Sequence, residues 1–205
     1  MNGTSAVRSA LSALALFAVV TVLCGVLYPL AVTGVAQVAF PAQANGSIIE
    51  VDGVKYGSAL VGQPFRDEGH LWGRPTEATA AAFVGDDGAP LLWYGPENVS
   101  PASDAFAARV AERVEAVRAA HPDQGDAPVP SDLVTVSGSG FDPDISPAAA
   151  EYQVGRIARA TGRDEAEVRG IIHACTEKPL LGAVGCARVN VLKANLMLDG
   201  ILENS

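Results

Sequence analysis

The chain has 205 residues and a formal net charge of −9, and nearly half of it is apolar. All 23 acidic residues and all but one of the 14 basic ones lie beyond residue 49, so the charged part is strongly acidic. Such a surface excludes nucleic acid and adhesion to anionic lipid, and suits solubility or the local concentration of cations.

Between Arg8 and Glu50 there is no Lys, Arg, Asp, Glu or His. A bilayer core is about 30 Å thick and needs roughly 20 apolar residues to be spanned by a helix. Ala10–Val38 exceeds that length, which predicts a short N-terminus over 1–9, a transmembrane helix over 10–38 and one folded domain over 39–205. Arg8 precedes the span and no Lys or Arg follows it until Lys55. The positive-inside bias then puts the N-terminus in the cytoplasm and the domain outside. Cleavage after Ala42-Gln43-Ala44 is the competing reading, but the apolar run is too long for a signal peptide and the charged lead is thin. Within the span, Thr21, Gly25 and the Tyr28-Pro29 pair offer either a packing face for another helix or a kinked face toward lipid.

Asn45-Gly46 reads as a turn. Ser47–Val51 and Val54–Leu60 flank Asp52-Gly53, a strong hairpin signal, with Gly57 and Gly62 marking a short or bulged second strand. Gly69–Gly95 is rich in Gly, Pro and aromatics and reads as irregular structure. Its Trp72 and Trp93 either pack onto the domain or form an aromatic surface for a partner or membrane interface. Ser103 or Asp104 caps a helix ending at His121-Pro122, with Phe106, Val110, Val114 and Val117 on one stripe. Leu133–Val136 reads as a short strand opening into Ser137-Gly138-Ser139-Gly140. Ser146-Pro147 starts a second helix running to Thr161 and stopping at Gly162. Asp164 with Glu167 resembles a capping box for a third helix, striped by Val168, Ile171, Ile172 and Cys175. After the Gly-rich turn Leu181–Gly185, Val189-Asn190-Val191 leads into a final helix or strand ending at Leu202. The fold class is α+β: one membrane helix followed by a single mixed α+β domain.

No locally organised catalytic set appears, and His70, His121 and His173 are scattered. Cys175 and Cys186 lack the second pair that a metal site would need. They make either a disulfide, which an outside location permits, or two separate thiols. Ser137–Gly140 lacks the Lys of a Walker loop. Its backbone N–H groups either cradle an anion or form a turn needing positive φ.

Several stretches together resemble the C subunit of the Kdp potassium-transporting ATPase, and they occur in order over nearly the whole chain. They are Leu27-Tyr28-Pro29-Leu30, Phe40-Pro41-Ala42-Gln43-Ala44-Asn45-Gly46-Ser47, Val61-Gly62-Gln63 and Trp72-Gly73-Arg74-Pro75. Further along come Val136-Ser137-Gly138-Ser139-Gly140-Phe141-Asp142-Pro143, Ile145-Ser146-Pro147-Ala148-Ala149 and Arg188-Val189-Asn190-Val191-Leu192. The resemblance implies a non-catalytic subunit of a bacterial high-affinity potassium uptake complex in the cell membrane. Its implied partners are a channel-like potassium-binding A subunit, a P-type ATPase B subunit and a small F subunit. It also implies a role as a catalytic chaperone that raises the ATP affinity of the B subunit, with Ser137, Gly138, Ser139, Gly140 and Gln153 taking part in nucleotide binding. An outside domain conflicts with direct contact to cytoplasmic ATP.

The chain departs from the family's pattern at four places. Asp144 and Cys175 stand where the family commonly has His, and Gly155 stands where it has Pro. Pro90-Leu91-Leu92-Trp93-Tyr94 replaces a Ser/Gly/Asn-rich loop. The acidic domain would favour K⁺ near a pore entrance, an effect that salt would screen. A membrane-tethered cell-envelope enzyme, and a nucleotide-binding regulator with a cytoplasmic domain, are the alternative functions.

Overall fold

The computed structural model describes residues 3–84 and 90–203, with side chains outside 3–5 and 77–94. The chain divides into two compact units, residues 1–48 and 49–205.

The first unit is helical. Helix α1 (Gly3–Val22) passes through a π-helical turn (Leu23–Leu27) into α2 (Tyr28–Ala39), and a single turn α3 (Pro41–Ala44) follows. Residues Ala6–Ala39 are long and apolar enough to cross a membrane, with a mean hydropathy of 2.6, and none of that window is buried. The π turn has a local cause. Pro29 has no N–H, and its ring clashes with the carbonyl four residues back in a regular helix. Opening the preceding turn by one residue, so that Tyr28 N–H donates to Leu23 O, accommodates the ring without breaking the rod. Gly25 lies within that turn, and Thr21 and Tyr28 flank it.

The second unit is a mixed α+β domain. Strands β1 (Ile48–Val51) and β2 (Val54–Ser58) form the expected hairpin around Asp52 and Gly53, both at positive φ. The stretch expected to be irregular contains a second hairpin, β3 (Glu77–Val84) against β4 (Pro90–Gly95). The register runs Glu77↔Gly95 to Val84↔Pro90, with an irregularity between Ala80 and Val84. The Ala-rich β3 has weak strand propensity, so pairing supplies what composition does not. Pro90 opens its strand, a place where a missing N–H costs little. The side chains of Trp93 and Tyr94, part of the aromatic surface considered above, lie outside the described ones.

Helix α4 (Asp104–Ala120) starts at the Ser103 cap, whose hydroxyl accepts from Phe106 N–H. Val117 is buried, and Val110 and Val114 pack onto the core, as the stripe requires. Leu133–Val136 is not a strand. Ser131–Leu133 is a 3₁₀ turn, and Val134 and Thr135 N–H both return to Ser131 O.

The helix expected from Ser146 to Thr161 is two helices, α5 (Pro147–Glu151) and α6 (Val154–Thr161). At the break, Gln153 N–H bonds three residues back to Ala150 O, and the side chain of Gln124 takes up Tyr152 O at 2.9 Å. Gly162 ends α6 at φ +71°. Helix α7 (Glu165–Ala174) is capped by Asp164, which accepts from Ala166 N–H at 2.7 Å. Glu167 pairs with Arg163, so its carboxylate does not close the box that the spacing suggested. A three-stranded antiparallel sheet β5-β7-β6 links Asp144–Ile145, Arg188–Asn190 and Thr176–Glu177. Asn190 then caps the last helix, α8 (Val191–Leu198). The core joins Leu71, Val117, Ile145, Ile157, Val168 and Val189.

Candidate functional site

The most organised polar region of the domain centres on Leu71-Trp72-Gly73-Arg74, a segment with no regular secondary structure. Such a segment must find partners for its peptide groups when buried. Two side-chain amides supply them. Asn195, on α8 and fully buried, accepts from Leu71 N–H at 2.7 Å and donates to Leu71 O at 3.0 Å. Gln153, also fully buried, accepts from Trp72 N–H at 2.8 Å and donates to Trp72 O at 3.1 Å. Each amide pairs both ways with one residue, as a neighbouring strand would.

Arg156, on α6 and 3% exposed, completes the frame. Its Nε donates to His121 Nε2 at 2.9 Å. Its terminal nitrogens donate to the carbonyls of Asp67, Glu68 and His70 and to Gln153 Oε1, at 2.6–3.2 Å. All five donors of the guanidinium are thus used. The guanidinium carbon lies 4.4 Å from the Trp72 ring centroid, a cation–π contact. Burial pulls the Arg156 pKa down to about 10. The buried His121 donates from Nδ1 to Val117 O at 2.7 Å while Nε2 accepts from Arg156, which fixes the neutral tautomer. Burial holds its pKa below the usual imidazole value, and the charge of Arg156 adds to that.

Arg74 extends the frame to the Ser/Gly loop. It donates to Thr135 O and Val136 O at 3.3 Å and meets the Asp142 carboxylate at 3.5 Å. His70 ties the same region to the end of α8. Its Nδ1 lies 2.7 Å from Asp67 and its Nε2 2.9 Å from Asp199. Burial opposes the imidazolium, but the two carboxylates outweigh it and raise the His70 pKa.

The residues assigned to nucleotide by resemblance occupy separate positions in this frame. Gln153 has both donors and both acceptor sites engaged, the fourth bond running to Ala149 O at 3.1 Å. In the loop, Ser137 Oγ accepts from Gly140 N–H at 2.9 Å and Ser139 Oγ accepts from Phe141 N–H at 3.1 Å. Ser137 and Gly140 are buried, and Gly138 and Ser139 are exposed. Gly140 has φ +75°, and a Cβ there would lie 2.2 Å from the Gly95 carbonyl carbon. Both the turn and the close approach therefore require glycine.

The cysteines expected as a possible pair are free. Cys175 is buried with its thiol 3.3 Å from Met197 Sδ, whereas Cys186 is exposed. Burial pushes the Cys175 thiol up to about 11, which makes it a packing group rather than a nucleophile. Asp144, the other departure that the resemblance marked, accepts from Asn190 Nδ2 at 3.0 Å and pairs with Arg188 at 3.0 Å. No group of three His, Cys, Asp or Glu side chains suited to a metal occurs among the described residues.

Sequence reasoning singled out Trp72-Gly73-Arg74-Pro75 as a motif, named His121 only as a helix end and one of three scattered histidines, and missed Asn195 and Arg156. The available signal was a polar residue in a core stripe: Asn195 between Leu192 and Leu196, and Arg156 between Val154 and Ile157.

Taken together, the fold and its polar frame define a small α+β domain joined to one membrane-spanning-capable helix. The family model described as K⁺-transporting ATPase, c chain, matches residues 10–200. The chain belongs to this KdpC family. A Potassium-transporting ATPase KdpC subunit of Clostridium botulinum strain Eklund 17B is 50% identical over 191 residues, 93% of this chain and 95% of that one. The protein of the same description from Sorangium cellulosum is 51% identical over 188 residues, covering 92% and 95%. That of Rhodopseudomonas palustris strain TIE-1 is 46% identical over 185 residues, covering 87% and 90%.

Proposed function

We propose that the chain is a non-catalytic accessory subunit of a potassium-transporting P-type ATPase complex, with catalysis and ion passage on its partners. The relatives' shared description supplies the complex. The observation that carries the accessory role is the unburied apolar helix joined to a domain whose central polar side chains are spent on one another. The helix packs beside the partner subunits A, B and F, using the Thr21, Gly25 and Tyr28-Pro29 face. The domain lies outside the cell, where its acidic surface raises K⁺ near the pore entrance.

The effect on ATP affinity implied by the resemblance is then exerted through the B subunit. Gln153 has no free polar atom to offer a nucleotide, and the loop hydroxyls of Ser137 and Ser139 serve their own backbone.

The exposed Cys186 makes the placement testable in the native sequence. A membrane-impermeant maleimide applied to intact cells should label the chain, and Cys186→Ser should abolish that labelling. Labelling only after lysis would overturn the outside placement. A tagged chain should also retain a P-type ATPase subunit through purification in mild detergent, and its recovery alone would overturn the accessory role.

A further inference from the structure

The connection between β6 and β7 ends in an apolar tip. Leu180 and Val184 pair both ways, N–H to O at 2.9 and 3.0 Å. Gly182 N–H donates to Pro179 O at 3.0 Å and Ala183 N–H to Leu180 O at 3.2 Å. The turn is therefore ordered, yet its side chains stay in solvent: Leu180 is 69% exposed, Leu181 91% and Val184 63%. Among the described side chains from Gly62 to Glu203, no other large hydrophobic residue is exposed.

Leu181 carries a second cost. It has φ +55°, a left-handed conformation that bulky side chains rarely adopt and that Asn or Gly usually supplies at a turn. A leucine both solvated and strained gains nothing from packing within the domain, so its use lies outside it. Between Lys178 and Arg188 no side chain is charged, and none carries a polar group besides the Cys186 thiol. A protein interface exchanges about one hydrogen bond per 100–200 Å², and this tip has no side chain to make one. Hydrocarbon asks for none, and the tip already pairs most of its peptide groups internally. A bilayer is also within reach wherever Ala6–Ala39 spans one. Eight residues, at most about 30 Å of chain, join Ala39 to Ile48.

We propose that Leu180, Leu181 and Val184 dip into the bilayer that holds the helix, as a second, shallow attachment of the domain. The proposal rests on the reading that the helix spans. The acidic surface opposes adhesion to anionic headgroups, so apolar insertion carries the contact. Cys186 is outside the tip. It lines a polar cavity with Asp142, Asp144 and Arg188, and stays at the wet base, open to a water-soluble maleimide.

The test uses the full chain with Cys24→Ala and Cys186→Ser, one copy per phosphatidylcholine nanodisc. A nitroxide is attached at Ala183→Cys, Val19→Cys or Asp126→Cys in turn. Its collisions with oxygen, which concentrates in hydrocarbon, are compared with its collisions with a nickel chelate, which stays in water. The Ala183→Cys label should favour oxygen, as should the Val19→Cys label, whereas the Asp126→Cys label should favour the chelate. Leu180→Ser combined with Leu181→Asn, which suits the positive φ, should reverse the preference of the Ala183→Cys label while the domain melts at the wild-type temperature. An Ala183→Cys label that favours the chelate, beside a Val19→Cys label that favours oxygen, would overturn the proposal and leave the spanning reading standing. A Val19→Cys label that favours the chelate would overturn the spanning reading and the proposal with it. An oxygen preference that survives the double substitution would overturn the proposal alone. So would an Ala183→Cys label that is shielded only when partner subunits share the disc, which would assign the tip to a protein.

Discussion

Along Ala6–Ala39 no part of the apolar window is buried and no charge interrupts it after Arg8, whereas the domain closes around a cation and two amides. The helix satisfies its peptide groups internally and leaves its side chains to lipid or to other helices. The domain does the reverse. It buries the peptide groups of Leu71 and Trp72, which lie in no helix or sheet, and then needs Asn195 and Gln153 to pair them. Domain stability therefore concentrates in a few polar residues, while the helix holds its backbone without any.

The largest effect that would sharpen this contrast is at Arg156. Arg156→Leu leaves Glu68 O, His70 O and His121 Nε2 without the donor they have now, and takes from Asp67 O and Gln153 Oε1 one of their two, the other coming from Trp72. Destabilisation of about 3–5 kcal/mol or more is expected, enough to unfold a marginal domain. Denaturant unfolding of the full chain in detergent measures it, and a loss below about 1 kcal/mol would break the account of the frame.

A smaller effect is expected at His70, and its sign is fixed by the raised pKa. The bridge to Asp67 and Asp199 contributes fully below the unfolded imidazole value of about 6.5 and is lost as pH rises through the higher folded value. Thermal melts should therefore fall between about pH 6 and pH 9 by more in the wild type than in His70→Gln. Equal slopes would show that the bridge carries no linkage.

The smallest effect on the domain is expected from Gly25→Leu. The domain's melting should not move, whereas co-purification with partner subunits should drop, because a large side chain holds another helix away. Unchanged assembly would favour the lipid-facing reading of that surface.

The elements with local causes were legible in the sequence. The apolar run, the Asp52-Gly53 hairpin, the caps at Ser103, Ser146 and Asp164 and the Val stripe of α4 each follow from residues within a few positions of one another. What was not legible depends on distant partners. Asn195 meets Leu71 across 124 residues, and Gln153 meets Trp72 across 81. The break between α5 and α6 puts Gln153 at the turn, and nothing in Tyr152-Gln153 announces it. The β3–β4 hairpin was hidden for a related reason: alanine-rich β3 becomes a strand through its register with β4. The resemblance assigned Gln153 to nucleotide, whereas the hydrogen bonds its side chain makes run to Trp72, Ala149 and Arg156.

The central claim is that Gln153 is a clamp on Trp72 rather than a nucleotide ligand. Thermal melting of the full chain and of Gln153→Met, each with and without ATP, tests it most directly. Methionine keeps the length but leaves the Trp72 N–H and C=O unpaired, at about 1–3 kcal/mol for each group. The account predicts that the variant melts well below the wild type and that ATP shifts neither melt. A variant that melts with the wild type, together with ATP stabilisation of the wild type alone, would contradict it.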